Sequence, residues 1–256
     1  MKQQMWEIAL DKFLKGWKKN PDVSGIILAG SYVTGNPTKN SDLDIQIILR
    51  RGCEWRERGN KIVDGFLMEY FANPSERIMG YLEDDEKRRR RIESHMLITG
   101  KIMFDRDGEV KKLKDVAKTY LYKSFDKMPE SKVELNKYHL WDMMDNLEEV
   151  YERKLGDFSY VYFNFLRNLF DVYMEYLAQP DYSENKTIRF LLDKKDRAKY
   201  KIQELKDKKF SNLFVGAMKE VNDKRRLDIF NKLAKYVQNK MGGFEINGWK
   251  FRSSAK

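Results

Sequence analysis

Apolar residues recur at helical spacing over residues 3–19, where Trp6, Phe13 and Trp17 alternate with Ile8, Ala9 and Leu14, and Pro21-Asp22 ends the pattern. Ser24 to Ala29 is a short apolar run that reads as a buried strand. Gly30, Gly35, Asn36 and Pro37 mark a loop, with one helical turn expected after Ser31. Leu43–Leu49 and Phe66–Phe71 are β-rich and expected to be neighbours. A charged helix is predicted over 75–94, a strand over 96–104 and a helix over 109–124, the last after the turn Asp105-Arg106-Asp107-Gly108. Beyond Pro129 the period is helical throughout, with helices predicted at 131–155, 158–178, 185–192, 196–209 and 211–240. The segment at 158–178 is apolar on most sides, as befits the central helix of a bundle. Asn247-Gly248 in the tail is a hairpin signal. The pattern predicts an α/β half with a small sheet, residues 1–128, and an all-α helical bundle, residues 129–256.

Composition narrows the setting. The 256 residues are 41% hydrophobic, enough for packed cores, and the single cysteine, Cys53, makes no internal disulfide. A reduced, cytoplasmic setting is expected. No stretch approaches about 18 consecutive apolar residues, so neither export nor membrane insertion is expected. The formal net charge of +10 suits polyanionic partners, although 40 acidic residues also suit an ordinary solvated surface.

The chemistry concentrates in Gly30-Ser31-Tyr32-Val33-Thr34-Gly35 and Ser41-Asp42-Leu43-Asp44-Ile45. A strand has period two, so Asp42 and Asp44 project from one face. Two carboxylates there repel each other unless a cation intervenes, and magnesium prefers oxygen ligands. Gly30 allows close backbone approach to a phosphate, and the Ser31 hydroxyl can donate to one. Gly30, Ser31 and Ser41 are therefore candidate nucleotide-binding positions. A third carboxylate would complete a two-metal site. Glu69, a charge among apolar strand residues, is the first candidate, because such a charge is costly without a countercharge. Asp64 is its rival, although Gly65 beside it favours a turn.

This Gly-Ser, loop, Asp-x-Asp and later strand acid, spread over residues 24–72, resembles the DNA polymerase β-like nucleotidyltransferase superfamily. Within it the chain looks most like bacterial nucleotidyltransferases that modify aminoglycoside or lincosamide antibiotics, through Gly100-Lys101-Ile102-Met103-Phe104-Asp105 and Lys186-Thr187-Ile188-Arg189-Phe190-Leu191. The resemblance implies a mixed-sheet catalytic domain, two Mg2+ ions and a nucleoside triphosphate co-substrate. It implies that Asp42 and Asp44 hold both metals and Glu69 the one serving the acceptor. A hydroxyl would attack the α-phosphorus in line, and pyrophosphate would leave.

Other residues carry weaker signals. Lys186 and Arg189 share a helix face and could neutralise triphosphate charge, or simply lie at the surface. Asp142, Asp145 and Glu149 share another, with Glu148 beside them, and could offer a general base or attract a cationic acceptor; a solvated face is the plainer reading. Arg88–Arg91 reads as a solvated helix face before it reads as an RNA contact. His95 and His139 show no ligand spacing, and Cys53 no motif. Two other functions compete with a small-molecule acceptor. One is transfer to RNA or protein, as in toxin-type enzymes, which the basic balance favours. The other is a non-catalytic nucleic-acid-binding module, which retention of the three acids disfavours.

Overall fold

A computed structural model describes residues 4–154 and 156–252. The chain forms two compact units, Met1–Lys123 with Lys195–Ile202, and Ser124–Lys194 with Gln203–Lys256. The expected division at residue 128 takes no account of residues 195–202, which cluster with the first unit.

The first unit is built on a five-stranded mixed sheet, in the order β3 (Glu57–Val63), β4 (Phe66–Pro74), β2 (Leu43–Leu49), β1 (Val23–Ala29) and β5 (Lys101–Asp105). Helix α1 (Met5–Lys19) leads into β1, the single turn α2 (Ser31–Thr34) and β2. Strands β3 and β4 form a hairpin closed by Asp64 and Gly65, both at positive φ as a two-residue turn requires. Helices α3 (Ser75–Lys87) and α4 (Ile92–Thr99), strand β5 and helix α5 (Glu109–Tyr122) complete it. Alternation along β2 sorts the two faces. Leu43, Ile45, Ile47 and Leu49 pack with Leu10 and Phe13 of α1. Ile48 faces Ile78, Leu97 and Leu113 of α3, α4 and α5. By the same alternation Asp44 and Gln46 belong to the second face.

The expected helix over 75–94 is two helices. The chain breaks at Arg88–Arg91, with Arg89 at φ 55°. Asp85 Oδ2 accepts the Glu93 N–H at 2.7 Å near the start of α4. Arg91 is 4% exposed; it pairs with Glu86 and donates to the Lys123 carbonyl at 2.9 Å. The arginine run is thus a turn with a buried anchor, not a solvated helix face. The strand expected from residue 96 starts at Lys101, because Met96–Thr99 continue α4. An apolar run that short has no period to decide between helix and strand.

The second unit is helical. It comprises α6 (Glu130–Glu152), α7 (Phe158–Tyr176), α8 (Thr187–Leu192), α10 (Lys208–Lys219) and α11 (Asp223–Lys240), while α9 (Lys194–Tyr200) falls mostly in the first unit. Tyr162, Leu166, Phe170 and Tyr173 bury the α7 face, as expected of a central helix. Asp207 accepts from the Phe210 N–H at 2.9 Å and from Tyr173 at 2.6 Å, capping α10 and tying it to α7. The helix expected over 196–209 stops at Tyr200, and that over 211–240 is split where Asn222 caps α11 by accepting the Arg225 N–H at 3.0 Å. The tail forms no hairpin among the described residues; Trp249 instead stacks on Tyr138 with ring centroids 4.4 Å apart. Among the described residues no helix is long and apolar enough to cross a membrane.

Candidate active site

Strand β2 lies between β1 and β4, so its first residues can meet both the loop after β1 and the middle of β4. The register pairs Asp44 with Ala29 on one side and with Glu69 on the other, the latter in parallel. Asp42 stands two residues before Asp44, on the same face. One carboxylate oxygen from each of Asp42, Asp44 and Glu69 lies within 4.8 Å of the other two, and all three residues are half-buried. Asp64 is elsewhere, in the β3–β4 turn, where Lys12 pairs with it at 2.6 Å.

Three acids this close fit a divalent cation by donor type and by spacing. The backbone beside them is shaped accordingly. Gly30 has φ +73°, and a Cβ there would fall 1.8 Å from Asp44 Oδ2, so only glycine lets the carboxylate sit against the chain. Directly after it, the Ser31 and Tyr32 N–H groups lead α2 without helical partners, beside the Ser31 hydroxyl, while Val33 and Thr34 donate to the Gly30 carbonyl. Ser41 Oγ accepts the Thr38 N–H at 2.8 Å and so braces the loop that delivers Asp42. On the other flank Arg58 of β3 donates to Glu69 Oε1 at 2.9 Å.

Residues 195–202 add a contact to this end of the sheet. The Asn36 amide donates to the Tyr200 hydroxyl at 3.4 Å, which lies 3.5 Å from Thr34 Oγ1. Lys186 and Arg189 lie at the start of α8, in the second unit. On α6, Asp142 is half-buried, Asp145, Glu148 and Glu149 are exposed, and Glu149 pairs with Arg153. His95 lies on α4 and His139 on α6, and neither belongs to the acidic group.

Beyond the trio the same face holds groups that the sequence reading passed over: Gln46, Asn73, Arg58 and Glu93. The signal for Gln46 was a lone amide in the run Leu43–Leu49; for Glu93 there was none. Burial pushes the Glu93 carboxyl up to about 7, and the neighbouring Asp85 adds to the rise.

The family described as nucleotidyltransferase domain matches residues 10–154. Among solved structures, a nucleotidyltransferase-like protein from Exiguobacterium sibiricum 255-15 aligns with 92% of this chain and 75% of its own, at 14% identity and a TM-score of 0.44. No curated protein matches.

Proposed function

The chain belongs to the nucleotidyltransferase domain family, and from that premise we propose that it transfers a nucleoside monophosphate, AMP from ATP, to a hydroxyl of a small molecule. Pyrophosphate is the leaving group. Aminoglycosides and lincosamides are the acceptor classes that the sequence resemblance suggests. The observation that carries the reading is the convergence of Asp42, Asp44 and Glu69 within 4.8 Å at one end of the sheet.

Asp42 and Asp44 would hold two Mg2+ ions and Glu69 one of them. Bound there, the metal neutralises phosphate charge and polarises the attacking and leaving oxygens. The chain's own part is positional. Gly30 lets the Asp44 carboxylate sit against the backbone. The Ser31 hydroxyl and the Ser31 and Tyr32 N–H groups donate to phosphate oxygens. Arg58 pairs with the Glu69 carboxylate at 2.9 Å, a cation that the metal must compete with.

The net charge of +10 favours a second reading in which the acceptor is RNA or protein. One experiment covers both. Mass spectrometry follows reactions of mixed nucleoside triphosphates and Mg2+ with a panel of antibiotics and tRNA. An acceptor heavier by one nucleoside monophosphate, absent when the metal is chelated, is the expected result. Pyrophosphate release without metal, or no product from any acceptor, overturns the proposal.

A further inference from the structure

On the trio's face of the sheet a cavity comes before the packed core that begins at Ile48. Gln46, two positions beyond Asp44, and Phe71 and Asn73, beyond Glu69, line a cavity of about 630 Å³ roofed by α3 and α4. Gln46 and Asn73 are only 4% and 6% exposed. The Gln46 amide donates to Glu93 Oε1 at 3.3 Å and approaches Met96 Sδ at 3.9 Å. Tyr81 donates to Asn73 Oδ1 at 3.4 Å. Among the described residues the Gln46 carbonyl oxygen and the Asn73 NH2 group then have no side-chain partner. Neither atom is among the fully buried polar atoms that lack a partner, so both open onto the cavity. One acceptor and one donor therefore point into the same space from adjacent strands.

The walls are flat. The Arg58 guanidinium lies 4.7 Å from the Phe71 ring centre, and that of Arg77 lies 4.5 Å from Tyr81. Arg58 also holds Glu69, so the cavity begins one side chain from the trio. Four arginines and four acids share the lining, so net charge does not choose the ligand.

We infer that this cavity is a nucleobase pocket in which the Gln46 carbonyl and the Asn73 amide pair with the base edge while Phe71 and Tyr81 flank its plane. A base offers the required donor and acceptor on one planar edge and two faces for stacking. The inference rests on the nucleotidyl-transfer reading of the trio. It makes Gln46 and Asn73 selectivity residues and gives them no part in the chemical step. The base belongs either to the nucleoside triphosphate or to a nucleotide acceptor.

The test is equilibrium binding to the full-length protein with Ca2+ in place of Mg2+. The probes are ATP, GTP, CTP, UTP and inorganic triphosphate. Wild type is expected to separate the best from the worst base by about tenfold or more. Asn73→Ala and Arg77→Ala are expected to shrink that ratio while leaving inorganic triphosphate affinity unchanged. Arg77 is exposed, so its variant folds even where Asn73→Ala does not. Free nucleoside that displaces the triphosphate assigns the pocket to the co-substrate base; nucleoside that binds alongside assigns it to the acceptor. Equal affinities in wild type, or a preference retained in both variants, overturns the inference. Base selection without any transfer in the Mg2+ assay would sink only the activity reading, whereas transfer without base selection would sink only the pocket.

Discussion

Gly30 and Asp44 meet so closely that a Cβ on the first would stand 1.8 Å from Oδ2 of the second. The positive φ at Gly30 adds backbone strain for any other residue, of order 1–3 kcal/mol. Gly30→Ala must therefore shift the carboxylate or the loop. Expected outcomes are a lower melting temperature and a loss of Mg2+ affinity of about tenfold or more. Calorimetric titration and a thermal melt on the same protein check both, and unaltered metal binding would separate the loop from the carboxylates.

Asp42→Asn and Asp44→Asn remove one negative charge each without changing shape. Like charges within 4.8 Å oppose one another in the absence of a cation, so the metal-free variants should melt no lower than wild type. Transfer should fall by about a hundredfold or more, as for the loss of one electrostatic stabiliser of a transition state. Wild-type turnover under saturating Mg2+ would remove these residues from the chemistry.

All three acids were legible, Asp42 and Asp44 in their pattern and Glu69 as a lone charge in an apolar strand expected to neighbour theirs; the register that joins them was not. Asp42 and Asp44 share a face by strand period alone, and Gly-Ser ahead of them named the loop. The pairing of Asp44 with Glu69 depends on a parallel register between strands that β3 separates in sequence, which no local period encodes. Strand β3 itself went unread because Glu57, Arg58, Asn60 and Lys61 are exposed on a sheet edge and carry no apolar alternation. The return of residues 195–202 to the first unit was hidden for a related reason. A short polar helix looks the same whichever unit it packs on. Gln46 and Asn73 acquire meaning only once α3 and α4 leave a cavity above them.

Arg58 is mostly exposed, yet it holds Glu69 at 2.9 Å. An exposed pair of this kind contributes at most about 1 kcal/mol to stability. Removing the guanidinium also removes a cation that competes with metal for the same carboxylate. Arg58→Ala should therefore change the melting temperature little and tighten Mg2+ binding. Weaker Mg2+ binding in this variant would instead mean that Arg58 orients Glu69 and that orientation outweighs competition.

The last expectation concerns Glu93, whose burial, aided by Asp85, lifts its carboxyl from an ordinary 4.5 to about 7. The folded protein keeps this proton up to about pH 7, whereas the unfolded chain releases it near 4.5. Between those values the folded state binds more protons, so each rise in pH across the window favours unfolding. Below the window both states are protonated and the effect vanishes; above it the full cost is present, on the order of 3 kcal/mol. Glu93→Gln keeps the shape and a hydrogen-bonding group for Gln46 but has no proton to lose. Denaturant melts of wild type and variant should agree near pH 4.5 and diverge toward pH 8, with the variant the more stable. The difference belongs to the Glu93–Asp85 pair, since the charge on one raises the cost of charging the other. Parallel stability curves across this range would place the Glu93 carboxylate in contact with water or a cation that neutralises it, and the α4 face of the cavity would then be wetter than its burial implies.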